Sequence, residues 1–396
     1  MNQAYSTWRI HNVNIVAEDQ LLQGTVTVEN GIITAITEQD AELPPSAADD
    51  SAEQVIDGKG GYLLPGFIDL HIHGGYGGDF MDASVQSYDA ITKFHAQHGT
   101  TAMLATTVTA PFEQIEAVLA AVAQYRSQPM PYAELLGVHL EGPFISTKWA
   151  GAQNPAHMVS PQLDWLKQWV ANWPGLIKQL TLAPETAGAF ETIRYLADQG
   201  IIAAAGHTDA SYDTIVEAVQ HGLSQAVHTF NAMTPLHHRE PGTAGAVLTI
   251  DDIAAELIAD GLHVHPAAIR LLTRAKNRDK LILITDAMAA AGLGEGQYML
   301  GDLAVIVKGD EARLAEGNSL AGSTLTMIGA FRYVLSNTEL SIPQVSQLAS
   351  GNPAKQLGIE EHTGSIAIGK RADLLWTDSS FQVQHTWVNG QSVFSQ

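Results

Sequence analysis

The chain contains no cysteine among its 396 residues. Disulfides, thiolate nucleophiles and thiolate-ligated metal sites are therefore excluded. Such a composition suits a reducing compartment, and a cytoplasmic protein is expected. Positive charge is also scarce: 20 Lys and Arg stand against 42 Asp and Glu, a formal net charge of −22. An acidic surface repels nucleic acid and anionic membranes, so neither is an expected partner. A small anionic substrate stays admissible, because one nearby Arg or a helix N-terminus outweighs a distant field screened by salt. No apolar run is long enough to cross a bilayer. The opening residues Met1 to Ser6 lack the basic and apolar regions of a secretory signal.

What is present is an ordinary globular balance, 45% hydrophobic and 16% charged. One large domain with a small companion fits this length. Residues 8–16 and 24–37 are rich in Val, Ile and Thr, and Glu29-Asn30-Gly31 is a turn signal within the second run. A polar, Pro-containing loop is expected at 42–51. The tail returns to the β style, in Ala372-Asp373-Leu374-Leu375-Trp376 and in Thr386-Trp387-Val388 before Asn389-Gly390. Residues 1–60 and 357–396 are thus expected to form one small β-sandwich domain, with 61–356 inserted between its halves.

The inserted part alternates apolar β-type runs with amphipathic helical stretches. The runs fall at 61–73, 100–109, 135–141, 177–184, 200–207, 225–231, 254–263 and 281–286. Helices are expected at 88–97, 112–125, 161–173, 189–199, 212–221, 266–275 and 324–335. Continuous apolar strands alternating with helices imply a parallel sheet covered on both faces. Eight such runs imply an α/β fold of the TIM-like (β/α)8 barrel type. An open doubly wound sheet is the rival, but no G-x-G-x-x-G follows the first run. Residues near 297–315 read as a β-hairpin inserted after the eighth strand.

Active sites of such barrels sit at the C-terminal ends of the strands. Read at that position, the chain gives His71 and His73, Thr106 and Thr107, Glu141, Glu185, His207, His228, His263 and Asp286. Apolar strands have no intrinsic need of ionisable ends, and buried ionisable groups are costly unless paired or metal-bound. Glu141, His207 and His228 form a two-His, one-carboxylate set suited to a divalent first-row cation, which lowers the pKa of water. His71 and His73 lie two apart and form a further pair of imidazole ligands. Asp286 is placed to take the proton of a water and return it to a leaving group. His263 can polarise a carbonyl or hold a hydroxyl. Asn231, Ala232 and Arg239 follow the His228 strand, where backbone N–H groups and a guanidinium fork suit a phosphate or carboxylate.

Several segments resemble the amidohydrolase superfamily, and within it the amino-sugar-phosphate deacetylases. They are Pro65-Gly66-Phe67-Ile68-Asp69-Leu70-His71-Ile72-His73-Gly74, His139-Leu140-Glu141-Gly142-Pro143-Phe144, Gly206-His207-Thr208-Asp209-Ala210, His228-Thr229-Phe230-Asn231-Ala232-Met233, Ala259-Asp260-Gly261-Leu262-His263 and Thr285-Asp286-Ala287-Met288. Leu320-Ala321-Gly322-Ser323 and Asn352-Pro353-Ala354-Lys355 continue the match, which covers nearly the whole chain. The His-Leu-Glu-Gly-Pro and His-Thr-Phe-Asn-Ala-Met segments are the narrow ones.

The resemblance implies hydrolysis of the amide of an N-acetyl-hexosamine 6-phosphate, with Glu141, His207 and His228 as metal ligands and Asp286 as catalytic acid/base. It implies substrate contacts at Asn231, Ala232, Arg239 and His263, and at Ala152, Gln153, Leu320, Ala321 and Gly322. It implies one or two divalent ions per subunit, zinc first, with iron, manganese and cobalt accepting the same ligands, and His71 and His73 supplying the second site. It also implies a homodimer in which an Arg reaches the neighbouring site. The gluco epimer is expected as substrate. At Gln153 the family usually carries His, which sets the galacto epimer beside it. A cyclic-amide hydrolase and a non-catalytic sugar-phosphate-binding relative are the remaining alternatives. Many of the former use a carboxylated Lys, and the run ending Leu180-Thr181-Leu182-Ala183-Pro184 offers none.

Overall fold

The computed structural model describes residues 7–38, 54–317 and 319–396. The loop expected at 42–51 and the opening residues 1–6 lie outside the described residues. Among the described residues, no helix is long and apolar enough to cross a membrane.

Eight parallel strands form the central sheet in sequence order: Phe67–Ile72, Thr100–Thr106, Glu134–Glu141, Ile177–Leu182, Ile202–Ala205, Leu223–Ala226, Ala254–Ile258 and Leu281–Ile284. Just beyond its strand, Asp286 N–H bonds the carbonyl of His71, and His73 N–H bonds that of Ala287. These bonds join the eighth strand to the first and close the mouth of the barrel. The (β/α)8 expectation holds. Most of its helices bury one face on the strands, and Ser84, Ser211 and Thr326 cap three of them through side-chain acceptors.

The barrel lumen is layered. Ile68, Leu70, Ala102, Leu104, Ala254, Ile258, Ile282 and Ile284 form an apolar layer, sealed by Ala354, Leu357 and Ile359. Gln179, Gln225, Glu256 and His139 are fully buried among one another in a polar layer. Every member has at least one hydrogen-bond partner, which is what makes such a layer tolerable.

The two chain ends build one curled sheet of eight strands. Trp8–Val16 is its hinge: its first half pairs with Gln54–Asp57 and its second with Tyr62–Pro65. Leu374–Thr377, Val383–Val388 and Gln391–Ser395 extend it from the C-terminal side. The curl brings Trp8 against Trp387, ring centroids 4.6 Å apart and stacked. The small β domain expected of the two chain ends is there, built as one continuous sheet that folds over its own core.

Three further details differ from expectation. The run 61–73 is two strands, and Tyr62–Pro65 pairs within the terminal sheet. The break falls at Gly66, where a Cβ would lie 2.2 Å from the Thr101 side chain. The insertion after strand eight has three strands, Gly296–Leu300, Leu303–Lys308 and Glu311–Leu314, one more than a hairpin. A helix at Gly242–Thr249 was not foreseen. It is buried nearly throughout, so it lacks the amphipathic period that reveals a helix.

Candidate active site

The chain turns sharply where the expected site residues sit. His207, His228 and Asp286 all have positive φ, at 47°, 29° and 52°. Strands five, six and eight end two residues earlier, at Ala205, Ala226 and Ile284. Left-handed backbone is unfavourable for such residues and clusters where structure serves function. Here it swings each side chain over the barrel mouth.

The result is one buried cluster. Glu141 Oε1 lies 3.2 Å from His71 Nε2, 3.2 Å from His207 Nε2 and 3.1 Å from His228 Nε2. The Nε2 atoms of His207 and His228 are 3.2 Å apart. Glu141 Oε2 lies 3.3 Å from His73 Nε2, which is 3.1 Å from Asp286 Oδ1. Outer contacts orient the rings: His207 Nδ1 meets the Trp149 carbonyl at 2.9 Å, and His228 Nδ1 meets that of Asn231 at 3.2 Å. Those carbonyls accept, so both rings turn a lone pair inward when neutral.

The donor set fits a divalent cation. Ligand atoms about 2.0–2.2 Å from a tetrahedral centre lie roughly 3.3–3.6 Å from one another, close to the spacings here. His71 Nε2 is fully buried and finds no hydrogen-bond partner. His71, His73 and Asp286 together, and His71, Glu141 and His228 together, have ligand atoms close enough to share an ion. Charge points the same way. Burial disfavours a His71 cation, yet the Glu141 and Glu256 carboxylates raise its pKa well above the ordinary value. His73 is raised to about 9 against the same burial by Asp286 and Glu141. Burial also opposes ionisation of Glu141 and Asp286, but the imidazoles hold both below the usual carboxylate range. The carboxylates demand positive charge, and a metal supplies it in place of imidazole protons.

Most residues expected at the site line the same cleft: His73, Glu141, Ala152, Gln153, His207, His228, Asn231, Ala232, His263, Asp286, Leu320 and Gly322. His71 lies beneath them, and Ala321 is buried behind its two neighbours. Arg239 does not line the cleft. It is exposed, its guanidinium 2.7 Å from His238 Nε2. Glu185 is not part of the cluster either; it accepts from Thr208 Oγ1 and from the Asp209 N–H.

Sequence reasoning missed several contributors. Lys148, Trp149, Gly151, Leu300 and Ser319 also line the cleft, and Lys148 is paired to Asp209 at 2.8 Å. Asp260 stands behind His263, Oδ2 to Nδ1 at 2.6 Å. Glu256 stands behind His71 at 2.9 Å. Asp260 was legible in Ala259-Asp260-Gly261, and Glu256 as a charge inside an apolar strand. For the others no signal exists at sequence level.

A (β/α)8 barrel whose strand ends converge four histidines and two carboxylates on one buried point defines the metal-dependent hydrolase class. The chain belongs to the amidohydrolase family, whose model matches residues 62–393. It is 42% identical to the N-acetylglucosamine-6-phosphate deacetylase of Bacillus subtilis (strain 168), over 97% of this chain and 96% of that one. It is 37% identical to the N-acetylgalactosamine-6-phosphate deacetylase of Escherichia coli O157:H7, over 94% and 93%. Among solved structures it matches a mutant N-acetyl-D-glucosamine-6-phosphate deacetylase of Mycobacterium smegmatis in complex with N-acetyl-D-glucosamine-6-phosphate. The TM-score there is 0.90 at 32% identity, covering 99% of this chain and all of that one.

Proposed function

We propose that the chain deacetylates N-acetylglucosamine 6-phosphate, giving glucosamine 6-phosphate and acetate. The observation that carries this reading is the cluster around Glu141 with Asp286 and His263 lining the same cleft, in a chain so similar over its full length to deacetylases of that name. Glu141, His207 and His228 hold a divalent ion, with zinc the first candidate and iron, manganese and cobalt accepting the same donors. His71 and His73 provide for a second. When bound, the metal supplies Lewis acidity, lowering the pKa of water and polarising the amide carbonyl.

The chain's own residues do the rest. Asp286, held as a carboxylate, accepts the proton of the attacking water and returns it to the leaving amine. His263 gives its Nδ1–H to Asp260, whose charge favours the imidazolium, and in that cation Nε2 donates to the carbonyl oxygen as charge develops there. The Ala232 N–H receives the phosphate, while the Asn231 N–H is already given to the His228 carbonyl. Arg239 stands outside its own cleft, which supports its serving the site of a second copy in a homodimer. The absence of cysteine supports a cytoplasmic setting.

The galacto epimer is the second reading, favoured by the Escherichia coli relative. Deacetylation kinetics on both 6-phosphorylated epimers, with protein of measured metal content, decide between them. Faster turnover of the gluco epimer is expected. Faster turnover of the galacto epimer, or of either sugar without its phosphate, overturns the reading.

A further inference from the structure

Glu256 sits in the middle of the seventh barrel strand, Ala254–Ile258, in a run otherwise made of Ala, Leu and Ile. It is fully buried, and the reaction outlined above gives it no task. Three other strands reach it. Gln179 and Gln225 each donate a side-chain N–H to its Oε1, at 2.8 and 2.5 Å. Gln225 also donates to Gln179 Oε1 at 2.8 Å, so each amide fixes the other. Glu256 Oε2 lies 2.9 Å from Nδ1 of His71.

The last contact selects a tautomer. A carboxylate oxygen accepts from the ring, so in neutral His71 the proton sits on Nδ1 and the lone pair on Nε2. That Nε2 faces Glu141 Oε1 at 3.2 Å and Asp286 Oδ1 at 3.6 Å. It has no hydrogen-bond partner and is shut away from solvent. One nitrogen lone pair and two carboxylate oxygens converging in a buried space need positive charge between them, which a divalent cation supplies in place of a proton. The charge on Glu256 argues further. A neutral amide at 256 would hold the ring equally well, whereas a buried carboxylate is costly unless compensated. Its two amide donors are neutral, so the compensating charge lies on the His71 side.

We propose that Glu256 is a positioning residue for a second divalent cation, holding His71 with Nε2 as the ligand atom and strengthening it by negative charge passed through the ring. The inference rests on the metal-dependent reading above and adds a residue from the lumen to it. The two amides keep the carboxylate pointed at the ring, and Gln225 Oε1 has no partner of its own. Gln225 is thus present for its donated bonds.

The test uses the full chain, stripped of metal and titrated with zinc, with stoichiometry read by mass spectrometry after dialysis against graded chelator. Wild type is expected to hold two zinc ions. Glu256→Gln is expected to weaken one of them about 10–100-fold and leave the other within about threefold. Circular dichroism of the stripped proteins checks the fold. Retention of both ions at wild-type affinity by Glu256→Gln overturns the proposal. So does parallel loss of both from a folded variant, which marks a merely structural role. If Glu256→Gln does not fold, Gln225→Met decides, since it keeps every charge and removes a donor. A smaller weakening of the same ion supports the proposal, and unchanged affinities overturn it. A wild type that binds one zinc sinks the proposal alone; one that binds none sinks the metal reading with it.

Discussion

Gln153 ties Thr109 to Glu141: its side-chain N–H donates to Glu141 Oε2 at 2.5 Å and its carbonyl accepts from Thr109 N–H at 2.7 Å. Both ends of the amide are therefore engaged inside the protein, and the residue is only 5% exposed although it lines the cleft. The sequence suggested that a Gln at this position bears on the sugar epimer. The geometry directs it to the Glu141 carboxylate instead. A hydrogen bond to a charged group contributes about 1.5–3 kcal/mol. Gln153→Leu is therefore expected to cut kcat/KM roughly 10–100-fold on both epimers and to leave their ratio within about threefold. Parallel kinetics on the two sugar phosphates measure it. A tenfold change in the ratio would return Gln153 to sugar recognition.

Asp286 carries the proton in the proposed reaction while its backbone fastens strand eight to strand one. Replacing the carboxylate by an amide keeps the backbone contacts and removes the base. Asp286→Asn is expected to fold normally, retain at least one metal ion through Glu141, His207 and His228, and lose about 10²–10⁴ in kcat. Turnover near wild type, at normal metal content, would remove Asp286 from the mechanism.

The barrel and its cluster were readable because two strong signals coincide: apolar runs of strand length, and ionisable residues at their ends. The apolar runs overshoot the strands, however. The sixth was expected to reach Asn231, whereas Leu223–Ala226 is the strand and His228 already turns at φ 29°. Hydrophobic pattern carries no information on a left-handed turn at a non-glycine residue, because tertiary contacts impose it. What the supporting partners touch is hidden from the sequence for another reason. Gln179 and Gln225 meet Glu256, and Glu256 meets His71, only once the barrel closes, and a glutamine on a strand announces nothing alone. Asp260 is three residues from His263, yet spacing could not disclose the 2.6 Å contact that commits Nδ1.

That commitment sets a pH dependence. With Nδ1 engaged by Asp260, His263 donates from Nε2 only when the ring carries both protons. Burial opposes this cation, but Asp260 overcomes burial and raises the His263 pKa above the ordinary value. The Asp260 pKa is lowered in turn, again against burial, by the same bond. The cation is present below the raised pKa and is lost as pH rises through it. Activity is therefore expected to fall on the alkaline side. Asp260→Asn removes the charge that raises the pKa, so this alkaline limb should shift to lower pH. Profiles of kcat/KM for the two proteins check the shift; an unmoved limb would show that His263 acts in its neutral form.

Arg239 offers the last test, because its position separates two ways of building the site. Its side chain is exposed, lies against His238 and stays outside the cleft of its own chain. If it grips the phosphate bound by a second copy, Arg239→Ala should raise KM for the phosphorylated substrate about 10–100-fold, the worth of a charge-assisted pair, and scarcely affect an unphosphorylated one. Mixing decides whose site it serves. In a dimer of one Arg239→Ala chain and one Asp286→Asn chain, the site holding the intact Asp286 receives the intact Arg239 from across the interface. The opposite site lacks both. Assayed at substrate well below the raised KM, co-refolded or co-expressed mixtures should therefore show activity above that of either variant alone, approaching one working site per mixed dimer. An Arg239 that serves its own chain predicts no recovery, since each site would then lack one of the two groups.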